Sequence, residues 1–246
     1  MSRPLAGKTA LVTGASRGIG AAIARRLAAD GAHVIVHYGA SRDGAEQVVA
    51  DIRAAGGTAD AVQADLDQPN AAAQLATAVG APTIDILVNN AGIAPFAGIA
   101  QTDEATFDSI VNVNMRSLFF VTQRFLARIP DGGRIINLST RVTKTTFPGI
   151  PVYSASKGFV DVLTLHMAAE LGARSITVNA VAPGAVDTQM SAWVRAPGGA
   201  ETIAQVQALP GIAQPERIAN VVSFLAGPDG AWTTGHVLDA SGGTKL

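Results

Sequence analysis

The run Thr13-Gly14-Ala15-Ser16-Arg17-Gly18-Ile19-Gly20 constrains this chain more than any other stretch. It follows Thr9-Ala10-Leu11-Val12, a short apolar run that reads as a strand, and leads into Ala21 to Leu27, which reads as an amphipathic helix. Glycines alone are weak evidence, because they also make ordinary turns. Between a strand and a helix they have a physical meaning. A pyrophosphate can approach a backbone only where no Cβ intrudes and N–H groups point outward, and a glycine-rich turn feeding a helix N-terminus offers both. The loop therefore predicts a nucleotide site formed by Gly14, Ser16, Arg17, Gly18, Ile19 and Gly20.

The second strand reads as His33 to Tyr38 and ends about 20 residues beyond the loop, where an Asp or Glu would accept hydrogen bonds from the 2′-hydroxyl of NAD. Here Tyr38 is followed by Gly39-Ala40-Ser41-Arg42, with no carboxylate to repel a 2′-phosphate. Arg17 and Arg42 can supply charge-assisted donors to such a phosphate, and Ser41 a neutral one, so the cofactor reads as NADP(H). The alternative is that both arginines are solvated surface residues. His33 and His37 lie about 13 Å apart on a strand, too far to share an ion, and read as structural. His166 and His236 have no partner at ligand spacing, so no metal is expected.

After a helix from Asp43 to Ala55, Thr58 to Ala64 reads as a third strand ending at Asp65-Leu66-Asp67. Asp65 suits an adenine amino group and Leu66 its ring, while Asp67 can cap the helix Asn70 to Val79. Ile84 to Val88 is an apolar run fit for the middle of a parallel sheet. It runs into Asn89-Asn90-Ala91-Gly92, where asparagine amides can tie adjacent strands and Gly92 lets the chain pass close to a cofactor. Asp103 to Arg128 has one helical apolar face interrupted by Asn114, a buried amide that needs partners. The strand Arg134 to Leu138 ends at Ser139-Thr140, and a long helix opens with Tyr153-Ser154-Ala155-Ser156-Lys157. Tyrosine and lysine four apart share a helix face. A phenol with a reference pKa of about 10 is a poor acid or base at neutral pH unless a positive charge stabilises its phenolate, and Lys157 can supply that charge. Ile176 to Val181 reads as a sixth strand, Gln189 to Gln214 as an irregular lid, Pro215 to Ala226 as a helix, and Gly235 to Gly243 as a last strand and turn.

Taken in order, Thr13 with Gly-x-x-x-Gly-x-Gly, Asn89-Asn90-Ala91-Gly92, Val113-Asn114-Met115, Tyr153-x-x-x-Lys157 and Pro183-Gly184 resemble the short-chain dehydrogenase/reductase family. The branch they are most similar to is the 3-oxoacyl-[acyl-carrier-protein] reductases and related ketoreductases. The resemblance, with the alternation of strands and helices, implies an α/β fold: a single-domain Rossmann, doubly wound parallel sheet with helices on both faces. It implies hydride transfer between NADPH and a ketone, β-ketoester or 3-oxoacyl carbonyl. Tyr153 would give the proton, Lys157 would also hold the nicotinamide ribose, and Asn114 would support a water relay. The family's serine falls on Thr140, a departure that keeps the hydroxyl, with Ser139 as the alternative. Asn89, Ala91, Gly92, Pro183, Gly184, Val186 and Thr188 complete the expected cofactor site. Two arginines dock the carrier protein in fatty-acid synthesis; Arg174 matches one and Asp131 replaces the other, which favours a small ketone or β-ketoester. A homotetramer is implied by analogy. A non-catalytic NADP(H) sensor or a redox-independent lyase would dispense with the Tyr-Lys pair or the glycine loop, and both are intact.

Composition narrows the partners. The chain has 246 residues, 15% charged, with net charge −1, which fits one domain over 1–246 and gives no electrostatic case for nucleic acid or an anionic membrane. Met1 to Lys8 lacks an apolar signal core, no run approaches the roughly 20 apolar residues of a span, and cysteine is absent, so a cytoplasmic protein is expected.

Overall fold

In a computed structural model, which describes residues 3–245, seven strands form one parallel sheet. They are β1 (Thr9–Val12), β2 (His33–Tyr38), β3 (Thr58–Gln63), β4 (Ile86–Asn89), β5 (Arg134–Leu138), β6 (Thr177–Pro183) and β7 (Val237–Ala240). The order is β3-β2-β1-β4-β5-β6-β7, so the winding reverses between β1 and β4. A crevice opens at such a switch point, outside the carboxyl ends of the strands.

The inner strands are mostly apolar because helices cover both faces. On one side α1 (Gly18–Ala29), α2 (Arg42–Ala54) and α8 (Pro215–Ala226) pack Ile23, Leu27, Val48 and Val222 onto Val12, Val36, Val88 and Val181. On the other, α3 (Ala71–Ala78), α5 (Ser117–Phe125) and α6 (Pro151–Leu171) pack Leu75, Val121, Phe125 and Leu171 onto Leu11, Leu87, Ile135 and Val178. Neighbouring residues such as Leu11 and Val12 thus serve opposite layers, as the period of two requires. Phe125 is fully buried; replacing such a side chain with alanine typically costs about 3–5 kcal/mol.

Helix ends follow local chemistry. Pro151 and Pro215 stand in the first turns of α6 and α8, where a missing N–H is harmless. Helix α4 (Glu104–Val111) is capped by Asp103, whose side chain accepts from Thr106 N at 2.8 Å. Helix α1 stops at Gly31, whose φ of +108° suits glycine.

Several boundaries differ from those read in the sequence. The helix expected over 103–128 is interrupted by a π-helical turn, Asn112–Arg116, in which Ser117 N donates to Asn112 O. Leu118, Val121 and Phe125 beyond the turn are buried, whereas Phe107 before it is half exposed. Strand β4 starts two residues later than Ile84, because the Asp85 carboxylate turns to accept from Thr9 N and Lys8 Nζ. The last strand is only Val237–Ala240. The segment 189–214 contains a 3₁₀ turn, Ala192–Arg195, and α7 (Gly199–Val206), and it is pinned by bridges from Val186 to Ala213 and from Gln207 to Thr244. Asp67 caps no helix: it accepts from Ser109 Oγ at 2.8 Å and Asn112 Nδ2 at 3.2 Å, joining the end of β3 to α4 and the π-turn. No helix among the described residues is long and apolar enough to cross a membrane.

Candidate active site

The crevice at the switch point is held by a compact set of polar bonds. The Thr13 hydroxyl donates to Val88 O at 3.3 Å and accepts from Asn90 N and Ala91 N, both at 3.0 Å. The Asn90 amide donates to Thr13 O and Gly14 O. The carboxyl ends of β1 and β4 are therefore joined directly beneath the glycine loop. A Cβ on Gly20 would lie 2.4 Å from both the Asn90 amide nitrogen and Gly14 O, and Gly14 itself has φ +62°. These glycines are required by close approach as well as by backbone angle.

His37 adds a support that the sequence did not reveal beyond a structural role. Its Nδ1 accepts from Gly14 N at 3.0 Å, which puts the ring proton on Nε2, where it donates to Ala64 O at 3.0 Å. Burial pushes its pKa down to about 4, against the opposing pull of the Ala64 carbonyl, so the ring is neutral. The available signal was a histidine in an otherwise apolar strand that ends beside the glycine loop.

Two adjoining cavities of about 610 and 400 Å³ make up the cleft and share Arg17, Gly92, Ile93, Gln189 and Met190. Gly14, Ser16, Arg17, Gly18, Ile19 and Gly20 line the floor. Ser41, Asp65 and Leu66 lie along the β2–β3 side. Ala91, Gly92, Pro183, Gly184, Val186 and Thr188 line the rest of the cavity beside Thr140, Tyr153 and Lys157. This is the shape a dinucleotide needs: an open glycine turn at a helix start, a slot for a purine, and a polar end at the reacting groups.

Four expected residues stand outside that lining. Tyr38 packs against the core. Arg42 turns along α2 to pair with Glu46 at 2.7 Å, while Arg17 and Ser41 line the cleft, Arg17 donating there to Gln189 Oε1 at 2.7 Å. Asn89 is buried and spends its amide on Thr122 Oγ1 and Asn137 Oδ1. Asn114, also buried, clamps Ile93 through its N–H and its carbonyl at 2.9 Å each, and donates to Ser156 Oγ at 3.0 Å. It acts by fixing the 92–93 loop against α6.

Tyr153 and Lys157 stand one turn apart on α6, and Thr140, just past the end of β5, shares their end of the cleft, with its hydroxyl donating to Pro183 O at 3.5 Å. Ser139, also in the cleft lining, donates its hydroxyl to Asp161. Of the two hydroxyls left open by the sequence, it is Thr140 that acts on the tyrosine. Lys157 Nζ donates to Leu138 O at 2.6 Å and lies 6.0 Å from the Tyr153 ring centre. The expected fall in the tyrosine pKa is not found in this arrangement. Burial pushes the phenol up to about 12, outweighing the opposing pull of the Thr140 hydroxyl, while burial pulls Lys157 down to about 8 against the field of Asp161. Tyr153 is thus a fully protonated phenol at neutral pH.

Three aromatic rings, none of them in the lining of either cavity, pack in a row. Phe96 meets Phe147 edge-on with centroids 6.1 Å apart, and Phe147 meets Trp193 at 5.4 Å. Within the lid, Val194 and Ile203 are buried anchors, whereas Met190 is half exposed and lines the cleft. Arg174 pairs with Asp131 at 2.9 Å and also donates to the carbonyls of Ile129 and Leu126, so its guanidinium is committed within the chain.

Known proteins carry the same organisation. A family model described as short chain dehydrogenase matches residues 8–197. Versicolorin reductase 1 of Aspergillus parasiticus is 41% identical, over 97% of both chains. Hydroxynaphthalene reductase arp2 of Aspergillus fumigatus is 39% identical over 95% of this chain and 90% of its own. The crystal structure of the angucycline C-6 ketoreductase LanV with bound NADP superimposes with a TM-score of 0.95 at 44% identity, covering 100% of this chain and 98% of that one. With its glycine loop, its Tyr-Lys pair and this match to most of its length, the chain belongs to the short chain dehydrogenase family.

Proposed function

We propose that this protein is an NADPH-dependent ketoreductase in which Tyr153 is the proton donor. The observation that carries this reading is that Thr140, Tyr153 and the buried Lys157 line one end of the cleft together. A carbonyl oxygen placed against both hydroxyls would be polarised by two donors and would receive the Tyr153 proton as negative charge develops on it. A high phenol pKa suits that task, since it keeps the proton in place until an alkoxide demands it. When bound, NADPH supplies the hydride. Arg17 and Ser41 would recognise its 2′-phosphate, Lys157 its nicotinamide ribose, and Asn114 would hold the loop beside it.

The names of the relatives suggest the substrate's shape. Phe96, exposed next to the lining residues Ala94 and Pro95, can offer a flat ring an offset or edge-on contact. Versicolorin, hydroxynaphthalene and angucycline in the names of the relatives all denote fused-ring compounds, and we extend that class to this protein, as a cyclic aromatic ketone in preference to an open-chain β-ketoester. The internal pairing of Arg174 with Asp131 argues against docking of an acyl carrier protein. A homotetramer is also proposed: Val162 and Leu165 on α6 are more than half exposed, and Trp232 before β7 is fully so. Such apolar surface is commonly covered by another subunit.

The test is the loss of NADPH absorbance with a bicyclic ketone such as 2-tetralone and with a small β-ketoester, each run in parallel with NADH. Faster turnover of the bicyclic ketone with NADPH is expected. Turnover of the β-ketoester alone would remove the fused-ring reading, and equal use of NADH would remove the role given to Arg17.

A further inference from the structure

Helix α6 places three ionisable side chains at intervals of four, Tyr153, Lys157 and Asp161, and so along one face. The first two belong to the proposed reaction. Asp161 has no part in it so far, yet it is only 7% exposed. One carboxylate oxygen accepts a hydrogen bond from the buried Ser139 hydroxyl. The other, Oδ2, is buried with no hydrogen-bond partner among the described residues. A buried carboxylate is costly unless a cation compensates it, and a buried ammonium is costly for the same reason. Each is the other's remedy here, one helical turn apart.

Ser139 gives Asp161 a second influence. It sits between Leu138, whose carbonyl holds Lys157 Nζ, and Thr140, which lines the cleft beside Tyr153. Its own N–H donates to Val181 O across the sheet at 2.8 Å. The Ser139–Asp161 bond therefore fixes the residue from which both neighbours project.

We propose that Asp161 is a positioning residue for the reaction: its carboxylate keeps Lys157 in the ammonium form, and through Ser139 it sets the end of β5 that presents Leu138 O and Thr140. This rests on Tyr153 and Lys157 serving as read above. The surroundings of Lys157 support it. Asp161 and Tyr153, each one turn away on α6, are the titratable groups nearby, and Lys157 makes no ion pair within 4 Å among the described residues. The Leu138 carbonyl and the Gly92 backbone, with Asn114 beyond it, are neutral. Burial draws the lysine down to about 8 even with Asp161 opposing it, and Asp161 is the only charge that does so.

The sign follows directly. If reduction needs the ammonium, activity falls as pH rises through the Lys157 pKa, and removal of the Asp161 charge moves that fall to lower pH. Asp161→Asn keeps the size and an acceptor for Ser139 but removes the charge. A neighbouring opposite charge typically shifts a pKa by about 1–3 units. The alkaline limb of kcat for ketone reduction should therefore move acidward by about one unit, leaving kcat about tenfold lower above it, with KM for the ketone nearly unchanged. Ser139→Ala, which leaves the charge in place, should lower kcat without moving the limb. A limb at the wild-type position in Asp161→Asn would overturn the proposal. So would a limb displaced in Ser139→Ala, and this second variant decides the matter if Asp161→Asn does not fold by circular dichroism. Tyr153→Phe separates this inference from the reading beneath it: full turnover by that variant would refute the proton donor whatever Asp161 does.

Discussion

Protonating His37 would set a new N–H against the N–H of Gly14, two donors facing one another in a buried site. The ring accepts from Gly14 and donates to Ala64, so the neutral form satisfies both nitrogens and the cation satisfies only one. Its pKa of about 4 in the folded chain, against 6.5 as a reference, makes this a stability term. Below pH 6.5 the unfolded chain takes up the proton first, so acidification favours unfolding. The contribution is fully present above pH 6.5, is lost as pH falls, and reaches its limit below about pH 4. Linkage gives a loss of about 0.8 kcal/mol at pH 6, about 2 kcal/mol at pH 5, and roughly 3 kcal/mol at the limit. The assay is urea unfolding of wild type and His37→Asn at pH 7.5, 6 and 5, comparing how each protein's stability changes with pH. Carboxylates and the other histidines contribute to both curves, so the difference between the slopes isolates His37. The variant should lose about 2 kcal/mol less than wild type between pH 7.5 and 5. Parallel curves would refute the reasoning.

Three further outcomes follow from the site. Thr140→Ala should lower kcat roughly 10² to 10³-fold in ketone reduction, the scale of a lost oxyanion donor, with NADPH affinity measured by fluorescence nearly unchanged. Gly20→Ala forces a methyl against Gly14 O and the Asn90 amide, so a loss of about 1–3 kcal/mol by chemical denaturation and weaker NADPH binding are expected. Arg17→Ala should weaken NADPH by about 1.5–3 kcal/mol, the range for a charged hydrogen bond, while NADH binding measured alongside changes little.

Much of this molecule was legible in its sequence because strong local signals and a unique arrangement coincide. The apolar runs of β1, β4, β5 and β6 could only be interior strands, and the glycine loop fixed where the crevice opens. Tyr153 and Lys157 were visible because helical spacing alone puts them on one face. What was hidden depended on partners that composition does not single out. Arg42, read as a phosphate ligand, pairs here with Glu46 one turn along the same helix. Asp67 was read as a cap, but its partners Ser109 and Asn112 are over 40 residues away. Ser139 and Thr140 are chemically alike and adjacent; only the fold decides that one donates to Asp161 and the other acts on Tyr153. The lysine's effect on the phenol was argued from charge alone, whereas burial of both groups governs the result.

The π-turn at 112–116 makes the length of this segment as informative as its composition. A helix closed by one wider ring carries one residue more than the same path would need if it were α-helical throughout. Deleting one residue there would restore a regular helix over the same path, keeping α4 and α5 in place but losing the wide turn that aims Asn114. With Leu118, Val121 and Phe125 held in the core, Asn114 would then swing away from Ile93 and Ser156. A loss of one codon, harmless in many surface loops, is therefore forbidden here even when every remaining residue is conservative. The reading frame of the helix, in the sense of where Asn114 points, is stored in a count of five.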